Sequence, residues 1–141
     1  MHVVIPLKPK YSYDTVRQFA EVTARHVGAQ LPGLTTLERT ISRRPSTAVY
    51  LDWVQVGRGK TVVPPYAVRA RDGAPVSMPL DWSEVEALGK KRASPEAVIG
   101  QWNLKNAVKR LKSTGDLWGK KSWAPAALEP ALRKAQRAWT A

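Results

Sequence analysis

The sequence predicts an α/β (α+β) fold in which a small, mostly antiparallel sheet is packed by helices and followed by further helices. Three observations predict it. Short runs rich in β-favouring residues fall in the first half, at Val3–Leu7, Val49–Gln55 and Tyr66–Arg71. Helical spacing separates the first two of them and dominates after residue 80. The 141 residues, 43% hydrophobic and 8% aromatic, suffice for one globular domain with a core. The sheet-containing part is expected over residues 1–80 and the helical part over 81–141.

Taken in order, Val3–Leu7 reads as a buried strand that begins directly after Met1 and His2, with Pro9 breaking it. A domain that opens inside a strand is expected to lack something upstream. Val16, Ala20, Thr23 and Val27 recur at helical spacing, so a helix is expected over Thr15–Val27, capped by Asp14 and ended by His26 and Gly28. Leu34–Ile41 fits strand or helix. In Val49–Gln55, alternation puts Val49, Leu51 and Trp53 on one face and Tyr50 and Asp52 on the other. Gly57 and Gly59 open a turn, and Tyr66–Arg71 follows as a strand with Ala67, Arg69 and Arg71 on one face.

Helices are expected from there on. Asp81 with Glu84 forms a capping box for a helix toward Leu88, and Lys90–Ala93 is a basic connector before Pro95. From Leu104, the apolar positions Leu104, Val108 and Leu111 stack on one side and Lys105, Lys109 and Lys112 on another. Gly115 ends that helix, and a last one is expected over Leu128–Trp139 with Pro130 in its first turn.

Charge narrows the function. Lys plus Arg number 23 against 11 Asp plus Glu, a formal net charge of +12. An acidic partner is expected, nucleic acid being the commonest, with a generically basic surface as the alternative. Cysteine is absent, which excludes disulfides and thiolate metal sites. No apolar run approaches the roughly 20 residues of a membrane span, and MHVVIPLKPK lacks a signal-peptide core, so no membrane partner and a cytoplasmic location are expected.

One constellation can carry chemistry. If the strands around the glycine turn are neighbours, Asp52 shares a polar surface with Arg69 and Arg71, with Arg58 and Lys60 reaching in from the turn. A carboxylate there can hold a divalent metal, and guanidinium forks at i and i+2 can grip a triphosphate. A surface salt bridge between Asp52 and an arginine accounts for the same residues. VGRGKT matches the end of a P-loop, but Val54 stands where the first glycine is required and Pro64–Pro65 where a helix must follow. No zinc-peptidase, α/β-hydrolase or thiol motif is present. His2 can meet phosphate or metal, or be merely exposed. Six tryptophans, interleaved with lysine in WNLKNAVKRLK and DLWGKKSW, can stack on bases or pack the interior.

The segment LDWVQVGRGKTVVPPYAVRARDGAPVSMPLDWSEV resembles the polymerase domain of bacterial DNA ligase D, the primase-polymerase of nonhomologous end joining in the archaeo-eukaryotic primase superfamily. The resemblance extends back to HVVIPLKPKYSYDTVRQFA, similar to the family's GLHVxxPL segment, and forward to NLKNAVKRLKSTGDLW, similar to its TxRxxPxRLxxxGDPW. It covers nearly all of this chain and the C-terminal half of the family's domain. It implies that Asp52 is the third catalytic, metal-binding aspartate. It implies that His2, Gln55, Lys60, Thr61, Arg69 and Arg71 contact the nucleotide and its phosphates, and it makes Arg58, Lys105 and Lys109 candidates for DNA. The implied cofactor is a divalent metal, manganese or magnesium. The implied partners are DNA with ends, gaps or a primer-template, a nucleoside triphosphate, a Ku protein and a DNA ligase, at the bacterial nucleoid.

The departures matter equally. The first motif's D-x-D pair is absent, as is the serine and glycine portion of the second, and Val56 and Leu117 replace an asparagine and a proline of the family. Asp52 by itself cannot organise two metals. The chain alone is therefore expected to lack polymerase activity. It reads as a truncated or split half completed by a separate chain, or as a noncatalytic DNA- or nucleotide-binding module.

Overall fold

The computed structural model describes residues 1–91, 94–119 and 124–139. The element order is α1 (Tyr13–Gln30), β1 (Thr35–Thr36), a single 3-10 turn at Ile41–Arg43, β2 (Val49–Tyr50), α2 (Trp82–Lys90), α3 (Pro95–Gly100), α4 (Ala107–Thr114) and α5 (Glu129–Trp139). The α/β class expected from the sequence holds. The chain divides into two compact units, one of Met1–Thr61 with Ala124–Ala141 and one of Val62–Trp123. Among the described residues no helix is long and apolar enough to cross a membrane.

In the first unit, α1 starts two residues earlier than the apolar spacing implies. Ser12, not Asp14, is its N-cap, its hydroxyl accepting the Thr15 amide at 3.1 Å, a bond of about 1 kcal/mol. Asp14 lies in the first turn, where its charge suits the helix dipole. Neither His26 nor Gly28 ends the helix, which runs on until Leu31 caps it by donating to the Val27 carbonyl. A Cβ on Gly28 would meet only Thr35 Oγ1 at 3.9 Å, so nothing in that position breaks the helix.

The sheet differs from expectation in its direction. β1 and β2 pair in parallel, Thr35 opposite Val49 and Thr36 opposite Tyr50. Residues 37–48, with their 3-10 turn, form a crossover instead of a hairpin, which brings the second strand back in the same sense. Antiparallel pairing among the described residues is confined to the isolated bridges Val68–Val76 and Pro75–Asn103. Val3–Leu7 is not a buried strand. Leu7 makes one parallel bridge to Ala126, flanked by the bonds Ala126 N to Pro6 O and Lys8 N to Ala126 O, while Val3, Val4 and Ile5 are exposed.

That bridge brings the last helix to the start of the chain. Leu128, the residue before α5, is 2% exposed, and its burial contributes roughly 2–3 kcal/mol. Its amide donates to the Tyr11 hydroxyl at 2.8 Å. Tyr11 in turn donates to Glu129, which also pairs with Lys10; the Lys10 bond, then the Tyr11 bond, hold the Glu129 carboxyl down at about 2. Pro130 occupies the first turn of α5, as expected.

In the second unit, α2 has the expected capping box. The Asp81 side chain accepts the Glu84 amide, and Glu84 Oε2 accepts the Asp81 amide at 2.9 Å. After the expected connector comes a helix that the sequence reading passes over: α3 is capped by Ser94, whose hydroxyl accepts the Ala97 amide, with Pro95 at its start. Arg92 and Ala93 lie outside the described residues. α4 starts at Ala107, later than expected. Asn103 and Asn106 knot the preceding turn through Asn103 N to Asn106 Oδ1 and Lys105 N to Asn103 Oδ1, which leaves Leu104 and Lys105 outside the helix.

The buried face of α4 is also not the expected apolar row. Leu104, Val108 and Leu111 are exposed, and Ala107 and Arg110 are buried. Gly115 closes the helix as expected, with φ 74 and its amide on the Leu111 carbonyl, a conformation that penalises any Cβ.

Candidate functional site

In the first unit the polypeptide leaves β2 at Tyr50, and two successive tight turns follow. Leu51 still pairs with β1 through its amide and the Thr36 carbonyl at 3.0 Å. The Trp53 amide then donates to the Leu51 carbonyl at 3.2 Å, which puts Asp52 at the apex of a three-residue turn. Its side chain is exposed. The Val56 amide donates to the Trp53 carbonyl at 3.2 Å, and this second turn carries the exposed Gln55.

The Tyr50 hydroxyl lies 3.5 Å from Asp52 Oδ1, longer than an ordinary O–H···O bond. The strand alternation that puts Tyr50 and Asp52 on one face survives as this contact. Above the Tyr50 ring sits the Arg44 guanidinium, 3.8 Å from the centroid. Arg44 is anchored by Nε to the Glu38 carbonyl at 2.8 Å and by Nη2 to the Arg39 carbonyl at 2.7 Å. Arg17 faces the Trp53 ring at 5.5 Å in the same manner. The segment bearing Asp52 is thus flanked by two aromatic rings, each covered by a cation. Sequence reading missed Arg44 and Arg17, because a cation over a ring leaves no fixed spacing in the chain.

The glycine turn forms as expected. The Lys60 amide donates to the Gly57 carbonyl at 3.3 Å, and Gly59 takes φ 72, which only glycine adopts without penalty. Arg58, Lys60 and Thr61 are exposed on it and beside it, and His2 is exposed at the other end of the unit's sequence. Within this unit Asp52 makes no ion pair among the described residues. The described residues also hold no group of three His, Cys, Asp or Glu able to bind a metal ion. Asp52 alone does not fit a two-ion centre, which needs several carboxylates around the pair.

In the second unit, Arg69 and Arg71 lie on a short irregular ribbon instead of a full strand. Tyr66 N donates to Ser77 O at 2.7 Å, Ser77 N to Ala67 O at 2.9 Å and Arg69 N to Pro75 O at 2.8 Å. Beyond that point the chain tightens, with Arg71 N on Arg69 O at 2.8 Å and Ala74 N on Arg71 O at 2.9 Å. The expected alternation over Tyr66–Arg71 is broken at both ends: Tyr66 takes φ 63, and the bond closing on Arg69 turns the chain at Ala70. The two arginines remain neighbours on one turn, Arg69 half-buried and Arg71 exposed.

Lys105 and Lys109 are both exposed, the first on the asparagine knot and the second on α4, so they do not share one helical row. Arg110, the residue after Lys109, is the buried one. Its guanidinium lies over the Trp102 ring at 4.5 Å and pairs with Glu84. Of the other tryptophans, Trp82 is exposed; Trp123 and the side chain of Trp139 lie outside the described residues. A shallow cleft lined by Leu80, Glu84, Ala87, Leu88, Lys91 and Gln101 contains none of the candidate site residues.

Comparison with known proteins gives a consistent result. The family model "LigD, primase-polymerase domain" matches residues 1–118. The chain is 30% identical over 124 residues to the multifunctional non-homologous end joining protein LigD of Pseudomonas aeruginosa, covering 88% of this chain and 13% of that protein. It is 36% identical over 88 residues to the bifunctional non-homologous end joining protein LigD of Bacillus subtilis, covering 62% of this chain and 14% of that protein. It is 31% identical over 117 residues to the multifunctional LigD of Mycolicibacterium smegmatis, covering 83% and 14%. The chain therefore spans about an eighth of the length of these relatives.

Proposed function

The chain belongs to the LigD primase-polymerase domain family, and from that membership we propose that it supplies part of the active site of a DNA-repair nucleotidyltransferase acting in non-homologous end joining. In this reading Asp52 is the third metal-binding aspartate. Arg69 and Arg71 bind the triphosphate of an incoming nucleotide, His2, Gln55, Lys60 and Thr61 are further nucleotide contacts, and Arg58, Lys105 and Lys109 meet the DNA backbone. The observation that carries the reading is Asp52 itself, an exposed carboxylate at the apex of a turn inside the matched segment and followed by a cation-bearing glycine turn.

Family chemistry requires divalent metal, manganese or magnesium, and Asp52, with no group of three ligating side chains among the described residues, does not fit two such ions by itself. What the chain's own residues can do is bind and orient. Guanidinium pairs grip phosphate oxygens bidentately, and a net charge of +12 draws DNA to the surface. The missing carboxylates are proposed to come from a D-x-D-bearing polypeptide, in cis or in trans. A Ku protein and a DNA ligase are the further proposed partners, with gapped, ended or primed DNA as substrate at the nucleoid.

The test is reconstitution. The purified chain, a D-x-D-bearing N-terminal half from a relative, primed gapped DNA, nucleoside triphosphates and manganese are combined. Nucleotide addition is expected only with both polypeptides and is lost in Asp52→Ala. An inactive mixture, under conditions where the intact relative extends the primer, overturns this reading.

A second reading is a noncatalytic module that binds DNA or nucleotide, which needs only the exposed cations Arg58, Lys60 and Arg71. It expects salt-sensitive DNA binding that Arg69→Ala and Arg71→Ala weaken and Asp52→Ala leaves unchanged.

A further inference from the structure

Tyr66 opens the ribbon that carries Arg69 and Arg71, and it does so with φ 63. Bulky residues adopt that left-handed conformation only where their surroundings hold them. Both ends of Tyr66 are held. Its amide donates to the Ser77 carbonyl at 2.7 Å, and its hydroxyl donates to Asp116 Oδ1 at 2.7 Å. The same carboxylate oxygen accepts the amides of Trp118 and Gly119, each at 2.9 Å, and the Trp118 amide also reaches the Tyr66 hydroxyl at 3.3 Å. Gly119 lies so close that a Cβ there would collide with the Asp116 carboxylate.

The turn Asp116–Gly119 is therefore a preformed acceptor, ordered by its own amides, onto which the tyrosine docks. Between Tyr66 and Arg69 the ribbon has one antiparallel bridge, Val68–Val76. The Pro75–Val76 segment is paired on its other edge as well, through the Pro75–Asn103 bridge and the Val76 amide on the Trp102 carbonyl, so Tyr66–Arg69 is an edge segment held to it by a short ladder. The tyrosine latch supplies a constraint that the ladder lacks. Burial first, and the Asp116 bond second, raise the Tyr66 hydroxyl above its ordinary value, so it stays a donor throughout the neutral range.

We propose that Asp116 is a positioning residue for the basic ribbon: through the Tyr66 hydroxyl it holds the backbone of Arg69 and Arg71 in the conformation that grips a triphosphate. This rests on the phosphate-binding role given to those two arginines above. Fork-to-phosphate recognition needs the guanidinium groups held to about 0.5 Å, so a loosened ribbon loses affinity before it loses structure.

The experiment measures binding of inorganic tripolyphosphate to the full chain by calorimetry at physiological salt, with amide hydrogen exchange as a second readout. Arg69→Ala and Arg71→Ala are expected to abolish specific binding. Tyr66→Phe and Asp116→Ala are each expected to weaken it about tenfold, one lost hydrogen bond to a charged group. The double variant is expected to be no worse than either single one, and Asp116→Asn, which keeps an acceptor oxygen, to bind within about threefold of the parent. Exchange at the Arg69 amide should quicken in Tyr66→Phe while the Arg110 amide in α4 is unchanged. If the arginine variants bind like the parent, the phosphate reading falls and the proposal with it. If they lose binding and Tyr66→Phe does not, the reading stands and the latch is overturned. Loss of protection at Arg110 as well would show general unfolding and also overturn it.

Discussion

Arg110 and Glu84 meet as a two-pronged pair, Nη1 on Oε1 at 2.7 Å and Nη2 on Oε2 at 2.8 Å, with 7% of the arginine side chain exposed and 33% of the glutamate's. The arginine also donates to the Pro79 carbonyl at 3.2 Å and covers the Trp102 ring. Glu84 serves two structures at once, since the oxygen that takes Nη2 also accepts the Asp81 amide of the α2 capping box.

Removing the glutamate strands a buried guanidinium, and removing the arginine leaves a cavity beside a carboxylate that still accepts the Asp81 amide. Arg110→Ala and Glu84→Gln are each expected to destabilise the second unit by about 3 kcal/mol in urea unfolding. The combined Arg110→Met, Glu84→Leu chain should lose less than the sum of the two, because neither charge is stranded.

The pH dependence follows from the same contact. The Arg110 bond, ahead of every other influence, lowers the Glu84 carboxyl below its ordinary 4.5. A carboxyl lowered on folding stabilises the fold fully above its unfolded value and loses that contribution as pH falls through the folded one. The difference in melting temperature between the parent and Glu84→Gln should therefore be constant near neutrality and shrink below about pH 4.5.

Arg44 holds the ring beside Asp52 through one cation-π contact and two carbonyl bonds. Arg44→Ala is expected to cost about 1–2 kcal/mol, read by guanidinium denaturation. Arg44→Lys should recover little of it, because an ammonium lacks the planar fork that spans the carbonyls of Glu38 and Arg39.

Asp52→Ala should leave stability within about 0.5 kcal/mol of the parent by thermal melting, since its side chain is exposed and its nearest partner, the Tyr50 hydroxyl, stands 3.5 Å away. The same substitution should end nucleotide addition in the reconstituted assay. Loss of both together would mark Asp52 as a structural residue.

The features legible in the sequence were local ones. Asp81 with Glu84, Gly115 and Gly57 to Lys60 act across three or four residues, so their spacing alone describes them. Ser94-Pro95-Glu96 was equally local and carried a readable start signal for α3. The extent of the strands was not legible, because β-favouring residues reveal no partner: Val49–Tyr50 takes Thr35–Thr36, and Tyr66 turns left-handed where alternation suggested extension. At the site, residue types suggested phosphate and metal chemistry, but a surface salt bridge explained the same pattern. The ordered family resemblance is what pointed to the first.

The sequence by itself determined the family, the capping box of α2 and the glycine that closes α4. Only the tertiary structure decided that α4 buries Arg110 and leaves Leu111 outside, that β1 and β2 run parallel, and that Tyr66 finds Asp116 across 50 residues. The reason is one of range. A cap or a glycine turn is complete within its own few residues, whereas a buried guanidinium or a latched hydroxyl is stable only where a distant segment brings the matching acceptor.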